Sequence, residues 1–148
     1  MSILKIKDVV IGEGVPKIIV PIIGKTKEDI IQEANVVKEL APDVVEWRVD
    51  MYEDVENLTA ITFLIEKLRK IFVDELLLFT FRSHKEGGNK EISDAYYVEL
   101  NQTAIRTKNI DLIDVELFNE EQNVKTLVDA AKENGVFIIM SNHDFLKT

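Results

Sequence analysis

The chain has 148 residues, which is enough for one domain of ordinary size, and 46% of them are hydrophobic, which is enough for a core. Its 27 acidic and 18 basic residues give a formal net charge of -9, which argues against nucleic acid as a partner because phosphate binding needs clustered positive charge. Without cysteine there is no disulfide, thiolate nucleophile or cysteine-based zinc site, and two histidines alone predict no metal site. No apolar run approaches the roughly 18 residues that cross a bilayer, so we expect a soluble, cytoplasmic protein without a membrane partner.

Apolar runs and amphipathic segments alternate along the chain after a short β-like opening, Ile3 to Ile11. The predicted strands are Lys17 to Ile23, Asp43 to Asp50, Leu76 to Arg82, Ile110 to Glu116 and Val136 to Asn142, and the predicted helices span 26 to 39, 57 to 72, 93 to 107 and 121 to 134. Thr26, with Asp29 three residues later, predicts the cap of the first helix. The βαβαβαβαβ order predicts one α/β domain over 1–148, with a hairpin-like opening over 1–14 and strand-helix units over 17–148.

The second predicted strand indicates which kind of parallel sheet is present. Its charged side chains share one face and its apolar side chains the other, namely Glu46, Arg48 and Asp50 against Val45, Trp47 and Val49. A central strand of an open, flavodoxin-like sheet is apolar on both faces. The alternation therefore favours a β/α barrel, in which polar groups gather at the carboxyl ends of the strands, and Trp47 is expected in the core between sheet and helices.

Polar side chains lie at the predicted carboxyl ends of several strands. Glu46 and Arg48 end the second strand, Arg82 ends the third, and His143 follows the fifth. Parallel strands bring these ends to one rim, where two arginines suit a small substrate that carries a carboxylate or several hydroxyls. Glu86, in the glycine-rich loop after Arg82, is close enough in sequence to reach over the same rim.

His143 is predicted to act as a general acid and base, because an imidazole exchanges protons near neutral pH. The alternative is a strand-end histidine that caps a backbone carbonyl. Arg48 and Glu46 could likewise form only an internal ion pair. We interpret Asp114 and Glu116, on the fourth predicted strand, as structural counter-ions of the arginines.

Four segments carry a more specific similarity: 46–50, 79–83 with 86–88, 111–118 and 141–145. Together with the opening 10–14 and 16–18, they resemble the type I 3-dehydroquinate dehydratases of the shikimate pathway. The resemblance implies a (β/α)8 TIM-type barrel, usually a homodimer. It also implies a lyase that dehydrates 3-dehydroquinate to 3-dehydroshikimate through a Schiff base, without a metal or cofactor.

Carried over residue by residue, the resemblance makes His143 the proton donor and acceptor and Glu86 its carboxylate partner. It makes Glu46, Arg48 and Arg82 the groups that hold the hydroxyls and ring of the substrate. The residues suit this chemistry because an imine acidifies the neighbouring carbon, so one base can remove a proton and return it to the departing hydroxyl.

The resemblance covers about five of the eight strand-helix units. It places the Schiff-base lysine on a strand beyond Thr148, so we expect this sequence to be an N-terminal portion that is inactive alone. The lysines nearest the rim lie in predicted loops and not in an apolar strand that would lower their pKa: Lys25, Lys85, Lys90 and Lys147. Pro21 stands where some family members have a serine that contacts substrate.

Two other hypotheses remain open at this point. The chain could be a truncated, non-catalytic barrel fragment that binds a hydroxylated carboxylate or assembles with a partner chain. It could also belong to a different Schiff-base barrel enzyme, such as an aldolase, although the rhythm of strands and helices supports this weakly compared with the motifs at Arg82 and His143.

Overall fold

The structure is a computed structural model that describes residues 4–6, 9–11, 18–83, 92–116 and 120–141. Its strands are β1 (Leu4–Ile6), β2 (Val9–Ile11), β3 (Ile19–Ile22), β4 (Val44–Arg48), β5 (Leu76–Thr80), β6 (Leu112–Glu116) and β7 (Phe137–Ser141). Its helices are α1 (Lys27–Glu39), α2 (Leu58–Ile71), α3 (Asp94–Arg106) and α4 (Glu121–Asn134). The predicted alternation of strands and helices is confirmed, and β1 and β2 pair antiparallel as the opening predicts.

One predicted boundary is wrong in a way that affects the site. The strand predicted to run to Asp50 ends at Arg48, and a single 3₁₀ turn follows over Val49–Met51. The backbone leaves the sheet there because β5 also ends at the register partner of Arg48, Thr80, and the Tyr52 amide donates to the Val49 carbonyl at 3.1 Å. Asp50 therefore lies in a turn and not in a strand.

Side chains cap three of the helices at their amino ends. The Thr26 hydroxyl accepts from the Asp29 amide at 3.1 Å, so the predicted cap of α1 is confirmed. Asn57 and Ser93 cap α2 and α3 in the same way, also at 3.1 Å. Such caps satisfy amide groups that have no partner inside the helix. None of the described helices is long and apolar enough to cross a membrane.

The larger sheet has five parallel strands in the order β3-β4-β5-β6-β7. Each strand lies beside its neighbours in sequence, whereas a flavodoxin-like sheet contains a reversal of strand order. Consecutive helices also pack against each other, α1 on α2, α2 on α3 and α3 on α4. The flavodoxin-like alternative is therefore excluded for this sheet.

The two faces of this sheet differ in what they contact. The first face packs on the helices, and Trp47 lies there, 1% exposed, with its ring centroid 5.7 Å from that of Phe79, so its predicted core position is confirmed. The second face carries a separate small apolar cluster of Val44, Leu76, Leu78 and Leu112. Polar residues follow these positions toward the carboxyl ends of β4, β5 and β6, and they form the candidate site.

Candidate active site

Glu46 and Arg48 lie where the sequence places them, at the carboxyl end of β4 on the second face of the sheet. Both are half-buried, and Arg48 is the register partner of Thr80 at the end of β5. The Thr80 hydroxyl donates to Glu46 Oε2 at 2.9 Å. This bond holds the Glu46 carboxylate against the neighbouring strand.

Arg48 forms a bidentate ion pair with Asp50. Its Nε donates to Oδ1 at 2.9 Å and its Nη2 to Oδ2 at 2.8 Å, while the Asp50 side chain is 0% exposed and that of Arg48 is 25% exposed. The hydrogen bond to Asp50 raises the pKa of Arg48. The structure therefore gives Arg48 a different ion-pair partner from Glu46, the residue that the internal ion-pair alternative named.

Asp50 also reaches the segment that follows β5. The backbone amide of Arg82 donates to Asp50 Oδ1 at 3.1 Å, so one carboxylate joins the turn after β4 to the segment after β5. Sequence analysis placed Asp50 on the charged face but assigned it no role. Its position two residues after Arg48 was the available signal, and the 3₁₀ turn that brings it to Arg82 was not predicted.

Arg82 is paired with carboxylates on the next strand. Its Nη1 lies 3.1 Å from both Asp114 Oδ2 and Glu116 Oε2, and its Nη2 lies 3.4 Å from Asp114 Oδ1. All three side chains are largely buried. The interpretation of Asp114 and Glu116 as counter-ions of an arginine is confirmed.

Glu116 is the most enclosed carboxylate of this group. Burial raises its pKa above the ordinary value, while the Ser83 amide, 3.2 Å from Oε2, and the Arg82 guanidinium act in the opposite direction. The Glu116 amide donates to the Tyr97 hydroxyl at 3.1 Å, and burial also raises the pKa of Tyr97. Sequence analysis missed Tyr97, because a tyrosine among the apolar positions of a helix gives no signal beyond a core residue.

The arrangement provides two guanidinium groups held by carboxylates at the ends of adjacent strands. A guanidinium fixed in this way offers planar N–H donors in a set orientation to hydroxyl or carboxylate oxygens. Pro21, beside Glu46 in the register of β3 and β4, has no N–H to donate and fits the edge position of β3 in the described sheet. Within the described ranges, no group of three or more histidine, aspartate or glutamate side chains could hold a metal ion.

The remaining predicted site residues cannot be compared with this geometry. His143 and Glu86 lie outside the described residues, as do Lys85, Lys90 and Lys147. Lys25 is described, and it is exposed in the loop between β3 and α1. The roles of His143 and Glu86 stay predictions.

Comparison with known proteins identifies one family. The model of the family Type I 3-dehydroquinase matches residues 18–148. The 3-dehydroquinate dehydratase of Bacillus subtilis (strain 168) is 57% identical over 148 residues, which are 100% of this chain and 58% of that protein. The type I 3-dehydroquinate dehydratase of Clostridium difficile, solved with covalently modified comenic acid, superposes with a TM-score of 0.92 at 47% identity, over 95% of this chain and 56% of that one.

A second solved structure agrees with the first. The 3-dehydroquinate dehydratase of Enterococcus faecalis superposes with a TM-score of 0.93 at 41% identity, over 98% of this chain and 60% of that one. The chain thus spans less than two thirds of the length of these relatives.

Proposed function

Because this chain belongs to the type I 3-dehydroquinase family, we propose that it forms part of a hydro-lyase that converts 3-dehydroquinate to 3-dehydroshikimate. The observation that carries the proposal is the network at the ends of β4, β5 and β6, where Arg48 and Arg82 are held through Asp50, Asp114 and Glu116. It supplies fixed donors for a small polyhydroxylated substrate at the position where β/α enzymes hold theirs. Membership of this family overturns the hypothesis of another Schiff-base barrel enzyme such as an aldolase.

In the proposed reaction a lysine amine condenses with the ketone of 3-dehydroquinate and releases water. The resulting imine acidifies the adjacent carbon, from which His143 removes a proton. The hydroxyl on the next carbon then leaves as water with the proton that His143 returns, and hydrolysis of the imine frees 3-dehydroshikimate and the lysine. Glu86 stabilises the charged form of His143, while Glu46, Arg48 and Arg82 hold the substrate.

The Schiff-base lysine is proposed to come from the part of the family's length that this chain does not cover. In the same proposal, the five described strands belong to an eight-stranded barrel. Apolar residues on the second face of both edge strands support it, because Ile19 is 53% exposed on β3, and Phe137 and Ile139 are 42% and 40% exposed on β7. Further strands would cover them. Assembly as a homodimer in the cytoplasm belongs to the same proposal.

The test is turnover and covalent trapping in the full-length reading frame. Dehydration of 3-dehydroquinate is followed by ultraviolet absorbance for the wild type, for His143→Ala and for Arg106→Ala, a control at an exposed position of α3. We expect His143→Ala to lower kcat by about 100-fold or more, in the range of general acid-base catalysis, and Arg106→Ala to leave it unchanged.

Borohydride reduction in the presence of substrate, read by intact mass, locates the imine. We expect a stable adduct on the full-length protein and none on the 148-residue chain by itself. A full-length protein with neither turnover nor adduct would contradict the dehydratase proposal and favour a binding or assembly function. An adduct on the 148-residue chain would contradict the proposed location of the lysine.

A further inference from the structure

Asp50 is a buried carboxylate that receives three hydrogen bonds from the segments of two arginines. Its Oδ2 accepts from Arg48 Nη2 at 2.8 Å, and its Oδ1 accepts from Arg48 Nε at 2.9 Å and from the Arg82 backbone amide at 3.1 Å. Its side chain is completely shielded from solvent. A buried charge is tolerated only when it is paired and hydrogen-bonded, so these three bonds are what allow Asp50 to lie there ionised.

The three bonds fix different parts of the site. The two from Arg48 set the plane of its guanidinium, because a bidentate pair leaves little rotational freedom. The third holds the backbone at Arg82, whose guanidinium is held separately by Asp114 and Glu116. Arg82 is therefore held at both ends, and Asp50 is the group in this network that acts on both arginines.

We propose that Asp50 is a positioning residue that sets the orientation of Arg48 and Arg82 relative to each other for substrate binding. It acts through the two arginines and does not itself touch substrate. The inference rests on the proposed function, since it gives the two guanidinium groups a shared substrate. Both arginines must be in place together, because a misplacement of about 1 Å in a reacting complex costs about 100-fold in rate.

The opposite end of the sheet provides a matched control. Asp111 accepts from Arg69 Nη1 at 2.8 Å and from the Leu77 amide at 2.9 Å, so it too joins an arginine to the backbone of a neighbouring strand. It precedes β6 at the amino ends of the strands, away from the candidate site. Removing its charge therefore costs the same kinds of bonds without touching either substrate-binding arginine.

The experiment compares Asp50→Asn with Asp111→Asn in the full-length protein. Asparagine keeps one acceptor oxygen but removes the charge and one of the two acceptors of the bidentate pair. We expect Asp50→Asn to lower kcat/KM for 3-dehydroquinate by about 100-fold, with KM raised and kcat lowered. Asp111→Asn is expected to lower the urea midpoint of unfolding while leaving kcat and KM at the wild-type values.

A second readout does not depend on activity. Hydrogen exchange of the Arg82 amide, measured by NMR, should be faster in Asp50→Asn than in the wild type and unchanged in Asp111→Asn. If the wild type shows no turnover but the Arg82 amide loses protection in Asp50→Asn, the dehydratase proposal fails while the positioning of Arg82 stands. Normal kcat and KM in folded Asp50→Asn overturn the inference, and so does an equal loss of kcat/KM in Asp111→Asn.

Should Asp50→Asn fail to fold, Asp50→Glu decides the question. Glutamate keeps the charge and both acceptor oxygens but moves the carboxylate outward by one methylene, so the ion pair survives with a displaced Arg48. A folded Asp50→Glu with reduced kcat/KM supports positioning. A folded Asp50→Glu with wild-type kcat and KM overturns it.

Discussion

At the scale of single residues, the candidate site is a set of arginines held by carboxylates of unequal burial. Asp50 and Glu116 have side chains that are 0% exposed, whereas that of Arg48 keeps 25% of its surface exposed. The carboxylates therefore lie behind the guanidinium groups, and the arginine is the part that faces outward. Burial has an electrostatic cost, which for Glu116 is visible as a raised pKa.

We predict that Glu116→Gln changes how the stability of the protein depends on pH. Because burial raises the folded-state pKa of Glu116 above its ordinary 4.5, the folded protein binds this proton more tightly than the unfolded chain does. The contribution of Glu116 to stability is therefore largest below 4.5 and declines as pH rises through the raised pKa. The free energy of unfolding of the wild type, minus that of Glu116→Gln, should increase as pH is lowered from neutral toward 4.5.

Urea unfolding of both proteins at several pH values measures this difference. The glutamine side chain of the variant keeps an acceptor for Arg82 and the Ser83 amide, so the comparison isolates the charge from the shape of the side chain. A difference that stays constant, or that shrinks as pH falls, would show that the Arg82 charge outweighs burial at this position.

At the scale of elements, one side chain ties three of them together at the amino end of the sheet. Arg69, near the end of α2, donates to the carbonyl oxygens of Phe72, Glu75 and Asn109 and to the carboxylate of Asp111. These acceptors lie in the segments that lead into β5 and β6. The contacts at this end stabilise the fold, while the substrate-binding residues lie at the other end of the same strands.

We predict that Arg69→Met destabilises the protein without changing its catalysis. Methionine fills much of the space but leaves a partly buried carboxylate and three carbonyl groups without their donor, which should cost on the order of 3 kcal/mol. Urea unfolding measures the loss, and turnover of the full-length protein at low temperature checks the site. Arg106→Met, at an exposed position in the last turn of α3, is the control and should cost less than about 1 kcal/mol. A loss of kcat/KM in folded Arg69→Met would contradict the separation of the two ends.

At the scale of the whole molecule, the described sheet has an open edge at β3 and another at β7. Exposed strand edges pair readily with other chains, and β7 adds exposed apolar side chains, namely Phe137, Ile139 and Met140. The sequential strand order makes each crossover local, and it leaves the first and last strands of the sheet without an outer neighbour among the described residues.

We predict that the 148-residue chain, expressed by itself, self-associates through these edges. Analytical ultracentrifugation should show a concentration-dependent average mass above that of one chain. Ile139→Glu places a charge on the exposed second face of β7 and should lower that mass. Phe63→Glu, at a comparably exposed aromatic on α2, is the control and should not change it. A strictly monomeric wild-type chain would contradict this prediction.

Local patterns in the sequence determined the order of strands and helices, the cap of α1, the two faces of β4 and the membership of Asp114 and Glu116 in the arginine network. Each depends on the spacing of residue types within one element, which backbone geometry converts directly into a shared face or end. The family followed from motifs at these same ends. The roles of His143 and Glu86 remain predictions.

Only the tertiary structure decided which carboxylate each arginine takes and which hydroxyl accepts from the Glu116 amide. Arg48 pairs with Asp50 because the chain leaves the sheet after β4, and Asp50 reaches Arg82 across 32 residues of sequence. Tyr97 reaches Glu116 from a helix through side-chain packing that residue spacing does not encode. Such contacts depend on how separate elements stack and on where each strand ends, and both are properties of the folded chain as a whole.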